Sequence, residues 1–429
     1  MRVRRDPVYV RRRWTAAGAA VLAVTLGLAA CLAQGDGEPQ AGAQTAGPEQ
    51  PQAAEDPAQP AEDGAVDAAP NEEASGEEVP VEEEPAVPSA QTRMERVDYL
   101  TGGLTPKSVV ASGHGLVIAN NMMYSHTSTV FDAETREQVA VLSDSVDLAE
   151  FGVEGHPGVS RGAPVEAAWT DDGRYAYVSQ YTMYGENFGR EGFDDCNPGS
   201  GVGPSFLYRF DAEDMAWDQV IKVGAVPKYV DITPDQSKVL VSNWCDSTLS
   251  VVDRETAQEI AVIPIAAAPR GIEVLPDNRT AYVAAMYADK LFKVDLEAGT
   301  SELVMNTPRK PRHLNLSPDG RWLYLAVSGA DTIYKIDTTT DEIVDQVESG
   351  REPRSMILSP DGTALYVVNY YEPSVAKIST EDMALLQKEP TDANPIGITY
   401  EPVTDTVWVA CYGGSIYVFD DTVPAAPEG

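Results

Sequence analysis

The sequence predicts an all-β chain of seven repeated four-stranded units, and three observations carry that reading. Prolines at 227, 269, 311, 353 and 395 recur every 42 residues, and Pro106 and Pro164 open two longer units of 58 and 63 residues. Each unit holds four short β-rich runs separated by turn residues and shows no helical apolar stripe. The turn residues themselves repeat, as Thr-Pro-Asp-Gln, Leu-Pro-Asp-Asn and twice Ser-Pro-Asp-Gly. Internal repetition at this period signals a solenoid or a propeller.

The elements follow in order within a unit. After the proline comes a first alternation, such as YVDI (229–232), GIEV (271–274), HLNL (313–316) or SMIL (355–358). The Pro-Asp-Gly turn suits a tight reversal, because proline presets φ and glycine accepts a positive φ. A second alternation follows, VLVSN (239–243), TAYVA (280–284), WLYLA (322–326) and ALYVVN (364–369). A third ends at an aspartate, Asp253, Asp295 or Asp337, whose side chain can accept hydrogen bonds from backbone amides just ahead of it. A fourth, weaker run closes the unit, for example EIAVIPI (259–265).

The second-strand pattern, written YVSQ (177–180), LVSN (240–243), YVAA (282–285) and YVVN (366–369), resembles the YVTN family of β-propeller repeats over residues 97–423. That resemblance implies a seven-bladed β-propeller of four-stranded antiparallel blades. It says little about activity, since the family spans surface proteins, binding proteins and propeller domains attached to enzymes. The last unit has strands at 396–400, 406–411 and 415–419 and then reaches Asp-Asp-Thr-Val-Pro. Its missing fourth strand is expected from RMERVDYLT (93–101), so that the N-terminal strand closes the last blade and leaves no open sheet edge.

The rest of the chain is organised around this domain at 93–423. Residues 1–31 carry six arginines and one acid, with an apolar run from Trp14 that ends in Leu-Ala-Ala-Cys31. This is the pattern of a secretory targeting segment. It resembles a bacterial lipobox, which implies cleavage before Cys31 and its lipidation. The alternatives are an uncleaved membrane anchor, since Trp14–Ala33 is about long enough to span a bilayer, or simple secretion. All three place the domain outside the cytoplasm, and the lipid-anchored form places it at the cell surface. Residues 32–92 hold 15 acids and no Lys or Arg among Ala, Pro, Glu, Gln and Gly. This composition predicts a disordered spacer, and 424–429 reads as a short tail.

The whole chain has 31 basic and 67 acidic residues, a net of −36. Taking away the N-terminal contributions leaves 25 basic and 51 acidic residues, so the remainder, propeller and tail together, is itself acidic at −26. That balance argues against nucleic acid as a partner. The chain has no HExxH, CxxC, Walker, GxSxG or EF-hand pattern, so no cofactor is expected.

In a propeller with this strand order, the turns after the first and third strands share one face. The loops after the second and fourth strands share the other, and three features converge there. The residue after each repeat proline is Lys107, Val165, Lys228, Arg270, Arg312, Arg354 or Ile396, five of seven basic in an acidic domain. The second strands end at Asn120-Asn121, Gln180-Tyr181, Asn243-Trp244, Ala285-Met286, Val327-Ser328, Asn369-Tyr370 and Cys411-Tyr412. Both long insertions, 143–163 and 182–205, belong to this face as well.

The candidate ligand-binding set is therefore Lys107, Lys228, Arg270, Arg312 and Arg354 with Asn121, Tyr181, Asn243, Trp244, Asn369, Tyr370 and Tyr412. It suits an anionic or hydroxyl-rich small molecule, a glycan or a protein ligand bound by a monomeric scaffold. The structural alternative pairs each arginine with an acid such as Asp231 or Glu273 and uses the Asn and aromatic positions to pack blades. A third arrangement, an extracellular lactonase, hydrolase or metal-dependent lyase at the same mouth, needs His126, His156 and His313 to gather with Glu166 and Glu273. A fourth is an accessory subunit that docks a redox partner. Cys196 and Cys245 fall on adjacent blades of one face and are expected to form a disulfide, whereas Cys411 ends a second strand and reads as buried.

Overall fold

The computed structural model describes residues 87–182, 186–187 and 195–425. Cys31 and the targeting segment, most of the spacer and the end of the tail lie outside them. Seven four-stranded antiparallel sheets follow one another as blades, and the first strands of neighbouring blades pack side by side around a closed ring. Blades 3 to 6 have first strands Pro227–Ile232, Pro269–Val274, Pro311–Leu316 and Pro353–Leu358, in the 42-residue register that the prolines announce. Blades 1 and 2 open with Ser108–Ala111 and Pro164–Trp169, and blade 7 with Pro395–Glu401. This is the seven-bladed β-propeller that the repeats predict.

Burial follows strand order. Second strands such as Trp322–Val327 and Ala364–Asn369 are buried almost throughout, because blades cover both of their faces. Fourth strands such as Glu342–Glu348 lie outermost and are largely exposed. The tyrosine of the second-strand pattern ties blades together. Tyr282 of blade 4 donates to Asp341 of blade 5 at 2.5 Å, and Tyr366 of blade 6 donates to Asp421 of blade 7. A buried tyrosine needs a partner for its hydroxyl, and the next blade supplies it.

The ring closes as expected, since Thr92–Thr101 pairs antiparallel with Ser415–Pro424 as the outer strand of blade 7. The third strand of that blade is longer than the alternation suggested, because it continues through Asp-Asp-Thr-Val-Pro424 to match its partner. Ser89–Gln91, which composition assigns to the spacer, form a 3-10 turn against blade 6. There the Ser89 amide donates to Asp361 at 2.8 Å and the Ala90 amide to Thr363 at 3.0 Å.

Beneath this seam lies a buried polar network. Lys377 Nζ of blade 6 donates to Asp421 Oδ1 at 2.6 Å, to Thr92 Oγ1 at 2.8 Å and to the Thr92 carbonyl at 3.0 Å. One lysine therefore holds both strands that close the ring.

The aspartates of the turns act on the backbone as predicted. Asp132 Oδ1 accepts from the Thr135 amide at 2.8 Å, Asp253 Oδ1 from Thr256 at 2.8 Å, and Asp295 Oδ1 from Ala298 at 2.9 Å. In the Pro-Asp turns, Asp235 accepts from Thr233 Oγ1 at 2.6 Å and from the Ser237 amide at 3.0 Å. The Thr233 hydroxyl, chief among these donors, holds the Asp235 carboxyl down to about 2, and the Arg279 guanidinium does the same for Asp295. A folded-state pKa below the unfolded value favours the fold in the charged form. The contribution is therefore complete above about pH 4, the unfolded value, and is lost as pH falls through about 2. The urea midpoint is expected to fall across that window, with a smaller slope in an Asp235→Asn variant.

The first insertion forms an extra hairpin, Ser145–Asp147 with Val159–Arg161. Its Val146 and Leu148 pack on Phe206, Tyr208 and Val220, along the outer strands of blade 2. In the second insertion, Cys196 is joined to Cys245 of blade 3 with their Cα atoms 5.2 Å apart. Cys411 is a buried free thiol whose pKa is pushed up to about 12 by burial.

Candidate functional site

A short backbone motif at the entrance to each blade shapes the channel mouth. The residue before the repeat proline is left-handed in six blades, at Ala163, Val226, Ala268, Lys310, Glu352 and Asn394. This conformation is costly for residues with a Cβ, and before proline it is rarer still. A recurring hydrogen bond holds it. The residue just past each second strand donates its amide to that left-handed carbonyl, as in Trp244 to Val226 at 3.0 Å, Met286 to Ala268 at 2.9 Å and Tyr370 to Glu352 at 3.1 Å. The first strand then slips register directly after its proline in blades 2 to 7. A bulge re-aims side chains, and here it accompanies the basic residue that follows the proline.

Two rings result. The inner one is Lys107, Lys228, Arg270, Arg312 and Arg354 with Ile396, and all six line one cavity of about 280 Å³. The outer one is Met122, Tyr181, Trp244, Met286, Tyr370 and Tyr412, which line the same cavity. Sequence reasoning named the basic and aromatic members. It left Met286 out of the binding set although it ends a second strand, and it passed over Met122 and Lys310, which also line the cavity.

The charges are unequally matched. Glu166 lies 3.7 Å from Lys107 Nζ and 3.8 Å from Arg270. Glu352 accepts from Arg354 Nε at 3.1 Å and from its Nη2 at 2.5 Å, while the Arg354 guanidinium lies 3.4 Å from the centre of the Tyr370 ring. Lys228 Nζ sits 3.9 Å from the Tyr181 ring centre and 5.2 Å from that of Trp244. Cation–π contact of this kind is favourable when both groups are desolvated. Among the described residues, six basic groups thus stand beside two carboxylates.

Arg312 has no ion-pair partner among the described residues. Its Nη1 approaches only Met286 Sδ, at 3.8 Å, and its Nε makes no hydrogen bond. Lys107 Nζ likewise makes none. Both residues are buried, 5% exposed at Lys107 and 6% at Arg312. Burial, followed by the repulsion of Arg270, pulls both pKa values well below their ordinary range, and burial pushes Glu166 upward.

The remaining sequence candidates fall elsewhere. Asn121, Asn243 and Asn369 are fully buried within their blades rather than lining the cavity. Asn121 Nδ2 donates to Thr129 at 3.0 Å, Asn243 Nδ2 to Ser250 at 2.7 Å and Asn369 Nδ2 to the Ser349 carbonyl at 3.2 Å. They hold second strands to third strands and loops, which is the structural role weighed for them.

The histidines do not meet. His126 lies 3.8 Å from Asp144, His156 packs edge-on to Phe206 with ring centres 5.8 Å apart, and His313 stands inside the channel. Among the described residues, no group of three His, Cys, Asp or Glu side chains is placed to hold a metal. No helix among them is long and apolar enough to cross a membrane.

Below the mouth, side chains from two alternate blades meet. Tyr229 of blade 3 and His313 of blade 5 meet across blade 4, with Tyr229 Oη 3.4 Å from His313 Nε2. Gly271 lies between them in the sequence of blades, and a Cβ there would come within 2.7 Å of the Arg312 carbonyl oxygen. Burial depresses the His313 pKa to about 3, so the imidazole is neutral and adds nothing to the basic ring. Beyond this pair lies a second cavity of about 460 Å³, whose lining includes Asp231 and Glu273. These carboxylates therefore do not pair with the mouth arginines, as the structural alternative supposed. Asp231 accepts from the Ile232 amide at 2.8 Å and the Val274 amide at 3.1 Å, and Glu273 accepts from Asn315 Nδ2 at 3.5 Å.

No family model and no curated protein sequence matches the chain. Among solved structures, a chain from the crystal structure of a mitotic checkpoint complex aligns with a TM-score of 0.61 at 11% identity, covering 80% of this chain and 96% of that one. A chain of hydrazine synthase from Kuenenia stuttgartiensis aligns with a TM-score of 0.55 at 16% identity, covering 78% and 99%. At such identities the likeness is one of fold.

Proposed function

We propose that this chain is a non-catalytic binding protein whose ligand is a small anion seated in the basic, aromatic-walled mouth of the propeller. The observation that carries the reading is the pair of buried, unused donors at Lys107 Nζ and Arg312 Nε. Buried polar groups are nearly always satisfied, so donors left over in a cavity call for an acceptor from outside. Carboxylate and phosphate oxygens are the natural acceptors for guanidinium and ammonium groups. The aromatic and methionine ring supplies an apolar wall for the remainder of the ligand. The arginine-rich stretch, apolar run and Leu-Ala-Ala-Cys31 support placing this mouth outside the cytoplasm, on a membrane-anchored chain.

Isothermal titration with citrate and with inorganic phosphate tests the proposal. Saturable binding is expected for at least one of them, weakening as salt rises, together with a ligand-dependent increase in melting temperature. The absence of any saturable heat or thermal shift with either anion at millimolar concentration would refute it.

A further inference from the structure

One basic group of the mouth differs from the others in its surroundings. Of the seven residues that follow the repeat prolines, Lys107 of blade 1 stands between Val165 of blade 2 and Ile396 of blade 7, both buried and apolar. Its backbone is fixed there, since its amide donates to the Asn120 carbonyl at 2.7 Å. In a ring of seven, blades 4 and 5 stand opposite blade 1, and they present Arg270 and Arg312 to the same cavity. Glu166, the acid beside Lys107, is shared between Lys107 Nζ at 3.7 Å and Arg270 at 3.8 Å. Glu352, the other carboxylate of the mouth, is engaged by Arg354.

Lys107, Arg270 and Arg312 are all buried, and together they hold more positive charge than Glu166 can balance. Only one of the three can shed a proton. A guanidinium stays charged in proteins, whereas a lysine desolvated beside other cations gives up its proton and becomes a nucleophile. Glu166 then balances Arg270, and Lys107 carries a neutral amine. Its missing hydrogen bond costs far less than it would for a buried ammonium. The depressed pKa of Lys107, caused first by burial and next by Arg270, agrees with this. We infer that the mouth takes a small oxo acid, an anion that also carries a ketone or aldehyde, and that Lys107 captures its carbonyl carbon as an imine. The inference rests on the anion reading of the same cavity, because the carboxylate of the oxo acid is the group that Arg312 would hold. In the capture step the Nζ lone pair bonds to the carbonyl carbon while one C–O electron pair moves to oxygen. The resulting carbinolamine breaks its C–O bond, and the oxygen leaves as water with the two amine hydrogens. Glu166, 3.7 Å from Nζ, is placed to accept the first proton and return it to the departing hydroxyl. The step needs no oxidant and no further reactant.

The test incubates the full chain with pyruvate and sodium cyanoborohydride, which reduces an imine to a stable secondary amine. Peptide mass spectrometry then locates the N-carboxyethyl-lysine formed. Modification is expected at Lys107, about tenfold or more faster than at Lys228 or Lys310, which line the same cavity. Citrate, which offers carboxylates and no ketone, is expected to slow it, and Arg312→Met to slow it about tenfold. Lys107→Met is expected to lose the adduct while leaving modification of other lysines unchanged. Should that variant not fold, the rate at Lys107 against those at Lys228 and Lys310 in the unaltered protein decides the matter. A product absent from Lys107, or formed there no faster than at the other two lysines, would overturn the inference. So would labelling that neither citrate nor phosphate slows. Saturable binding of citrate or phosphate without a Lys107 adduct would refute the imine alone and leave the anion reading in place, whereas failure of every anion to bind would refute both.

Discussion

Replacing Lys377 by alanine is expected to lower the unfolding free energy by about 3–5 kcal/mol, the scale for breaking a buried ion pair from one side. Lys377 and Asp421 are both fully shielded from solvent. Burial opposes charge on each, lowering the pKa of Lys377 and raising that of Asp421, and their mutual contact at 2.6 Å offsets it. Alanine would leave the Asp421 carboxylate and the Thr92 carbonyl without their shared donor at the seam where the N-terminal strand closes blade 7. The loss should therefore be local as well as global. Amide exchange across Thr92–Thr101 is expected to accelerate before exchange in blades 3 to 5. The double variant Lys377→Met with Asp421→Asn is expected to recover most of the stability, because apolar or neutral replacements remove the desolvation cost along with the attraction. Urea unfolding checks both, and a single variant as stable as the unaltered protein would show that the network does not hold the closure.

Arg312→Met is expected to act in opposite directions on binding and on stability. Anion affinity should fall by about 10- to 100-fold, the worth of a charge-assisted hydrogen bond of roughly 1.5–3 kcal/mol. Stability without ligand should rise by about 1–2 kcal/mol, because the variant removes a desolvated cation that has no acid partner and faces Arg270 and Arg354. Arg354→Met should behave differently. It strips Glu352 of its two hydrogen bonds from Arg354 and so should destabilise the fold. Titration calorimetry and urea unfolding on the two variants separate a binding arginine from a structural one. If Arg312→Met lost stability as Arg354→Met does, Arg312 would belong to the blade packing instead.

The repeat made much of the molecule legible in advance. Proline spacing, alternation and Pro-Asp turns depend on local geometry, and local geometry repeats in the sequence wherever it repeats in space. The same regularity put the basic residues after the prolines on one face, and it set Cys196 beside Cys245. Side-chain direction was harder to read. Asn243 and Trp244 are adjacent in the chain, yet one is enclosed within its blade and the other lines the mouth, because the chain leaves its second strand between them. The insertion at 143–163 reads as a loop of the mouth face, but its apolar residues Val146 and Leu148 seat it along blade 2.

The sequence by itself determined the blades, their number, the closing strand and the face on which the charge gathers, since each is written in spacing along the chain. Only the tertiary structure decided which charges are matched. Glu166 and Glu352 quench some of the basic ring and leave Lys107 Nζ and Arg312 Nε without hydrogen-bond partners, while Asp231 and Glu273 line a separate cavity. Those pairings join residues from different blades, and their energies depend on burial and on separations of a few ångströms. Neither quantity is encoded in any single repeat.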